Sequence, residues 1–195
     1  MIAKFSKKRP IMVFCSTRSI AAATAKNLAR WWFSKPMSNV FWDAPPRRIC
    51  VGNTDLAGEY PLLKHLHSHQ CSRRESNGIT ECVSSGVAFH HGGLGLDDRQ
   101  IVEAAFLAGD ISVICCTSTL AVGVNLPCHF VIVKNTVSYQ GGSMKEYADL
   151  EVMQMLGRAG RPQFDRDALA VIMTRQEKVN RYEKMVSGQD IIESW

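Results

Sequence analysis

The sequence predicts an α/β domain built on a parallel sheet with helices on both faces. Three observations lead there. Short, continuous apolar runs rich in β-branched residues alternate with longer amphipathic stretches. The runs show no polar alternation, as strands covered on both sides require. Hydrophobic residues make up 46% and charged residues 21% of the 195 residues, enough to bury one core with chain to spare.

Residues 11–15, Ile-Met-Val-Phe-Cys, read as the first strand, and an alanine-rich helix follows over 20–33. Residues 34–85 break the rhythm with Pro36, Pro45-Pro46, Gly52, Gly58, Pro61 and a polar tract around Ser72 to Gly78. They are expected to form an inserted loop region with one short helix near 62–67. A second strand is expected at 86–89. Asp97 or Asp98 is then placed to cap a helix that runs to Leu107 and closes at Ala108-Gly109. Residues 111–116 and 130–133 read as two more strands, 150–156 as a helix, 168–173 as a last strand and 176–186 as a last helix ending at Ser187-Gly188. The expected organisation is one domain over 1–174, inserted at about 34–85, with 175–195 as an exit helix towards a following domain.

Composition narrows the functional classes. No apolar run reaches the ~20 residues of a membrane helix, and the basic start MIAKFSKKRP is not followed by a signal-peptide core. The seven cysteines include no CxxC pair and read as reduced, mostly buried thiols of an intracellular protein, in cytosol or nucleus. Net charge is +5, but residues 1–48 carry ten Lys or Arg against Asp43 alone, a balance of +9, leaving −4 for the rest. A basic end on a near-neutral body suits a polyanion partner, and equally a solvated basic surface.

Four clusters carry candidate chemistry. In Gln154-Met155-Leu156-Gly157-Arg158-Ala159-Gly160-Arg161-Pro162, a helix would bring Gln154, Arg158 and Arg161 within roughly 60° of one another. Gly157 and Gly160 would let a ligand or another backbone approach, and Pro162 would place Arg161 at the helix end. Two guanidiniums and an amide aimed together suit the charge on a transferring γ-phosphoryl group. The plainer reading is a solvated basic helix end, which two mid-helix glycines weaken at about 1 kcal/mol each.

The second cluster, Thr117-Ser118-Thr119-Leu120-Ala121-Val122-Gly123-Val124-Asn125-Leu126-Pro127, follows a strand. Thr117 and Thr119 could donate to a nucleic-acid phosphate and Asn125 could reach a sugar hydroxyl. A strand-to-helix turn with capping hydroxyls explains it as well. Ser16-Thr17-Arg18 and His90-His91-Gly92-Gly93-Leu94 are similar turns. The four clusters together are expected to line one continuous polar groove along the C-terminal ends of consecutive strands.

These blocks resemble motifs IV, IVa, V and VI of superfamily-two helicases, in particular the Ski-like DExH branch. TSTLAVGVNLP and QMLGRAGRPQFD carry the likeness, with HHGGL, Arg99 and the 102–106 stretch in matching spacing across most of residues 10–174. EYADLEVMQMLGRAGRPQFD and AVIMTRQ look most like the meiotic crossover helicases. The resemblance implies a RecA-like sheet, the C-terminal half of a P-loop NTPase helicase. It implies Arg161 as arginine finger, Arg158 as its companion and Gln154 orienting the phosphate or attacking water. It implies Gly123, Asn125, Arg158 and Arg161 on the nucleotide side, and Ser16, Thr17, Arg18, His91, Gly92, Thr117 and Thr119 on the backbone of one tracking strand.

By the same resemblance, ATP and Mg²⁺ would be held mainly by an N-terminal RecA-like half, and a winged-helix domain would follow. Single-stranded or branched DNA in the nucleus is the expected partner, RNA remaining open, and no membrane is involved. The sequence has no GxxxxGK[ST] and no Asp-Glu dipeptide for a DExH box, so the chain is expected to be part of a larger protein and inactive as an ATPase alone. His65, His67, His69 and Cys71 alternate as zinc ligands on a strand would, but the expected helix at 62–67 scatters them, and no metal is expected. Two other classes compete: a non-catalytic nucleic-acid-binding or docking module from a truncated helicase, and a Rossmann-like transferase. The second lacks GxGxxG and an obvious catalytic acid or nucleophile.

Overall fold

The computed structural model describes residues 9–33, 76–83, 85–160 and 167–188. Its strands are β1 (Ile11–Phe14), β2 (Val87–His90), β3 (Val113–Cys116), β4 (Phe130–Val133), β5 (Val137–Gln140), β6 (Ser143–Glu146) and β7 (Leu169–Ile172). Its helices are α1 (Arg18–Phe33), α2 (Ser76–Val83), α3 (Leu96–Ala108), α4 (Thr119–Gly123), α5 (Asp149–Leu156) and α6 (Val179–Ser187), the last entered through a 3-10 turn at Gln176–Lys178.

Five strands form one parallel sheet in the order β2-β3-β1-β4-β7. Every residue of β1 to β4 is buried, which is why each reads as an unbroken apolar run. The chain steps from β1 past β3 to β2, then reverses through β3, β4 and β7. Right-handed crossovers therefore put α1 on one face and α3 and α5 on the other. The expected α/β sheet and its five strands hold, with bounds shifted by one or two residues.

Three expectations change. Residues 76–83, inside the stretch read as an insertion, form α2, and Ile79, Cys82 and Val83 are fully buried there. The helix expected at 62–67 and the His65–Cys71 run lie outside the described residues. α3 starts at Leu96 behind Gly95, so Asp97 and Asp98 do not cap it but occupy its first turn, where the helix dipole favours acids. Residues 137–146, unread in the sequence, form an antiparallel hairpin turned by Gly141 and Gly142 at φ 57° and 88°. Positive φ at both turn residues is what a two-residue loop between twisted strands demands.

The helix expected to carry Gln154, Arg158 and Arg161 on one face is also corrected. α5 stops at Leu156, with Gly157 as its C-cap. Arg158 lies in a turn and Ala159 pairs as a β-bridge with Cys128. The Cys128 N–H donates to Arg158 O at 3.0 Å and the Gly160 N–H to Cys128 O at 2.7 Å. The glycines thus admit another backbone, as expected, but by ending the helix rather than continuing it. Arg161 lies outside the described residues.

Gly160 adopts φ +105°, and a Cβ there would meet the Ala168 Cβ at 3.3 Å. Gly160→Ala is expected to cost about 1–3 kcal/mol, lowering the urea midpoint. Gly92→Ala, at an open position, should stay within about 0.5 kcal/mol of the parent. Equal midpoints for the two variants would contradict this account of the turn.

Candidate functional site

The five strands end flush. Phe14 and His90 both pair with Cys116, Phe14 pairs with Val133, and Val133 pairs with Ile172. The residues that follow therefore share one ledge at the C-terminal edge: Ser16-Thr17-Arg18 after β1, His91-Gly92-Gly93 after β2, Thr117-Ser118-Thr119 after β3 and Lys134-Asn135 after β4. β1 and β3 are neighbours whose connections leave towards opposite faces, the position where open parallel sheets bind ligands.

On the β1 side, Thr17 caps α1. Its Oγ1 accepts the Ile20 N–H at 3.2 Å and lies 3.1 Å from the Ser19 hydroxyl. Ser16 is buried and Arg18 exposed. The Arg18 side chain lies over Gly93, where an added Cβ would come within 3.0 Å of its Nη1. His91 is buried, its ring stacked on Phe89 with centroids 5.7 Å apart and its Nδ1 accepting the Gly93 N–H at 3.2 Å. Gly92 is exposed. His91 thus shapes the turn from beneath, while Gly92 and Arg18 form its surface.

On the β3 side, Thr117 Oγ1 and Thr119 Oγ1 are 2.9 Å apart and share a hydrogen bond. Between them, the Ser118 side chain hydrogen-bonds the hydroxyl of Tyr147, which is 2% exposed. Burial, then the nearby Glu151 carboxylate, pushes the Tyr147 pKa up to about 12 against the smaller opposing effect of Ser118, so the phenol stays protonated. Tyr147 also donates its N–H to Thr136 O at 2.9 Å.

The fourth cluster does not join this ledge. Cys128, which bonds the Arg158–Gly160 turn, precedes β4, so the turn sits at the N-terminal edge of the sheet. The reason is topological: α5 is the crossover from β4 to β7 and must bring the chain back to where a parallel strand can start. The groove expected from four clusters is lined by three. What links the two edges is α4. It begins at Thr119 on the ledge, and the Arg158 guanidinium caps its far end. Arg158 Nε donates to Ala121 O at 2.9 Å, Nη2 donates to the same carbonyl, and Nη1 reaches Asn125 Oδ1 at 3.5 Å. Gly123 and Asn125, both exposed, and Gln154, half-buried on α5, surround that end.

The structure adds residues that sequence reasoning passed over. Lys134-Asn135 carried the same signal as the other ledge clusters, polar groups directly after an apolar run. The Ala121 carbonyl and Tyr147 carried none, because one is backbone and the other acts across 29 residues of chain.

His90 anchors the β2 end of the ledge: its Nε2 lies 2.7 Å from Glu103 Oε1 on α3, and its Nδ1 is buried without a partner among the described residues. Burial lowers its pKa more than the Glu103 hydrogen bond and charge raise it, and the Arg99 charge lowers it further. The folded state therefore binds this proton less readily than the unfolded chain. Its contribution is complete above the ordinary value of 6.5 and is lost as pH falls through the lowered folded value. The thermal midpoint should drop between pH 7.5 and pH 5, and His90→Gln should shrink that drop. An unchanged pH dependence in the variant would refute the assignment.

A helicase conserved C-terminal domain matches residues 67–163. The chain is 40% identical over 195 residues to the ATP-dependent DNA helicase MER3 of Saccharomyces cerevisiae, covering all of this chain and 14% of that protein. It is 37% identical over 194 residues to the probable ATP-dependent DNA helicase HFM1 of Homo sapiens, covering 12% of that protein. To activating signal cointegrator 1 complex subunit 3 of Bos taurus it is 42% identical over 186 residues, 94% of this chain and 8% of that protein. The chain thus spans a small part, 8% to 14%, of the length of these relatives. With the flush parallel sheet and the two motif-bearing edges, these likenesses make it a helicase C-terminal domain of RecA-like fold, similar to the matching parts of MER3, HFM1 and activating signal cointegrator 1 complex subunit 3.

Proposed function

We propose that this domain is the second half of an ATP-dependent DNA helicase motor in a longer nuclear protein of meiotic recombination. The ledge faces single-stranded or branched DNA, and the Arg158 edge faces ATP and Mg²⁺ held mainly by an N-terminal RecA-like half. The observation that carries this reading is α4: one helical turn with a pair of threonine hydroxyls at one end and a docked guanidinium at the other.

The donors fit both tasks. Thr17 spends an acceptor lone pair on its cap and the Thr117/Thr119 pair consumes one O–H, so each cluster still has a hydroxyl to give a phosphodiester. Arg18 and the exposed backbone of Gly92 lie alongside, Ser16 sits at the base, and His91 sets the turn. Contacts of this type give affinity without sequence reading. At the other edge, Arg158 uses three of its five N–H groups on Ala121 and Asn125. One on each terminal nitrogen remains to bind a γ-phosphate while the guanidinium stays anchored. Arg161 is the arginine finger, Gln154 orients the phosphate or attacking water, and Gly123 and Asn125 border the nucleotide.

With no phosphate-cradling loop in its sequence, the 195-residue chain is expected to release no phosphate from Mg-ATP above background, with or without single-stranded DNA. Turnover that persists through repurification would sink the two-halves reading. In the full-length protein, Arg161→Ala should cut turnover by roughly 10³-fold or more with a far smaller effect on ATP binding, and Arg161→Lys should rescue poorly. Thr119→Ala should weaken strand affinity and stimulation while basal turnover stays near the parent's. A normal rate in Arg161→Ala would favour the alternative, a binding module that keeps these motifs without using them.

A further inference from the structure

We propose that Lys134 binds a phosphodiester of single-stranded nucleic acid, carrying the strand grip across β1 to the end of β4; this rests on the ledge being the strand-facing edge. Lys134 is the first residue after β4, and its N–H donates to Phe14 O at 2.9 Å, so its backbone is level with the end of β1. The side chain is exposed, and its ammonium donates to Thr24 Oγ1 at 2.8 Å. That same hydroxyl lies 3.8 Å from Cys15 Sγ, in the residue just before Ser16. The ammonium thus leans back over the end of β1 towards Cys15, the residue that leads into the Ser16-Thr17-Arg18 turn.

Two further facts favour a ligand over a surface ion pair. Among the described residues no carboxylate lies within salt-bridge distance of Lys134, so its charge is held by a neutral hydroxyl alone. Asn135, next in the chain, is exposed as well and adds an amide donor to the same edge. The competing explanation is a tether: Lys134 could simply pin α1 to β4 through Thr24. A tether needs the hydroxyl, whereas a phosphate contact needs the charge. The two therefore separate experimentally.

The test is binding of the 195-residue chain to a fluorescent oligothymidylate, followed by anisotropy over a salt series. The parent should bind weakly, with a slope of log K against log salt of about −2 to −4. Lys134→Ala should make the slope shallower by about 0.7, the share of one phosphate on a single strand. Its affinity at low salt should fall about two- to fivefold, as loss of an exposed ion pair allows. Thr24→Val, which keeps the ammonium, should retain the parent slope, and so should Lys134→Arg. If Lys134→Ala melts below the assay temperature, Lys134→Gln, which keeps the stem, takes its place. A parent-like slope in the Lys134 variant, or a Thr24→Val chain that reproduces its loss, would overturn the proposal. Absence of binding by the parent would instead remove the strand-facing reading of the ledge, and this proposal with it.

Discussion

Parallel pairing fixes where this chain can put chemistry. All five strands of the main sheet point one way and end in register, so each connection must cross back over a face before the next strand can begin. Loops leaving the strands collect at one edge, and crossovers finish at the other. The hydroxyl turns after β1 and β3 and the glycine turn after β2 are of the first kind. The Arg158–Gly160 turn, at the end of the β4–β7 crossover, is of the second. Packing makes this arrangement stiff. β1 to β4 are buried along their whole length, and truncating one large core side chain typically costs 2–5 kcal/mol, against about 1 kcal/mol for a lost helix cap. The sheet is therefore the expensive part to alter, while the ledge can vary its side chains at little cost to the fold.

Several groups at the two edges serve the fold and keep hydrogen-bonding capacity to spare, because that capacity is counted by lone pair and proton rather than by residue. The Thr17 cap uses the hydroxyl as acceptor, and the bond between the Thr17 and Ser19 hydroxyls consumes one O–H and leaves the other. Arg158 offers the sharper case. A lysine at that position could reach the Ala121 carbonyl but, as a point charge with freely rotating donors, would hold no fixed plane. The planar guanidinium satisfies the Ala121 carbonyl of α4 and still presents a fork. Charge-assisted bonds of this type contribute about 1.5–3 kcal/mol, enough to keep the side chain in place.

How much of this was legible in the sequence depended on the range of the cause. Four of the five main strands were visible because burial on both faces leaves an unbroken apolar run, and β7 by its β-branched apolar residues alone. The hairpin was not read: Ser138, Gln140, Ser143 and Lys145 dilute its apolar content, although Gly141-Gly142 between short runs was a usable signal. α2 hid inside a polar tract whose buried side chains, Ile79, Cys82 and Val83, fall at helical spacing. In QMLGRAGR the expected helix stops at Leu156, since glycines that open a helix to a neighbour can equally end it. Long-range partners such as Arg158 with Ala121, or Tyr147 with Ser118, left no local trace at all.

The hairpin shows how the remaining elements depend on the body. Two strands alone are marginal in water, and Tyr139 and Met144, paired across β5 and β6, are both exposed. What holds it lies at its base. Thr136 Oγ1 meets Thr174 Oγ1 at 3.0 Å, and Glu146 Oε2 accepts the Tyr182 hydroxyl at 2.8 Å. Arg181 of α6 pairs with Asp149 at the start of α5 and lies over the Tyr182 ring. The Arg181–Asp149 pair is substantially exposed and contributes little by itself. The burial of Tyr182 and Met185, each 3% exposed, is the larger contribution and commits α6 to this domain. α6, the base of the hairpin and the start of α5 therefore form one packed unit. Glu146 and Asp149, the partners of Tyr182 and Arg181, flank Tyr147, whose hydroxyl meets Ser118, so this unit backs onto the β3 side of the ledge.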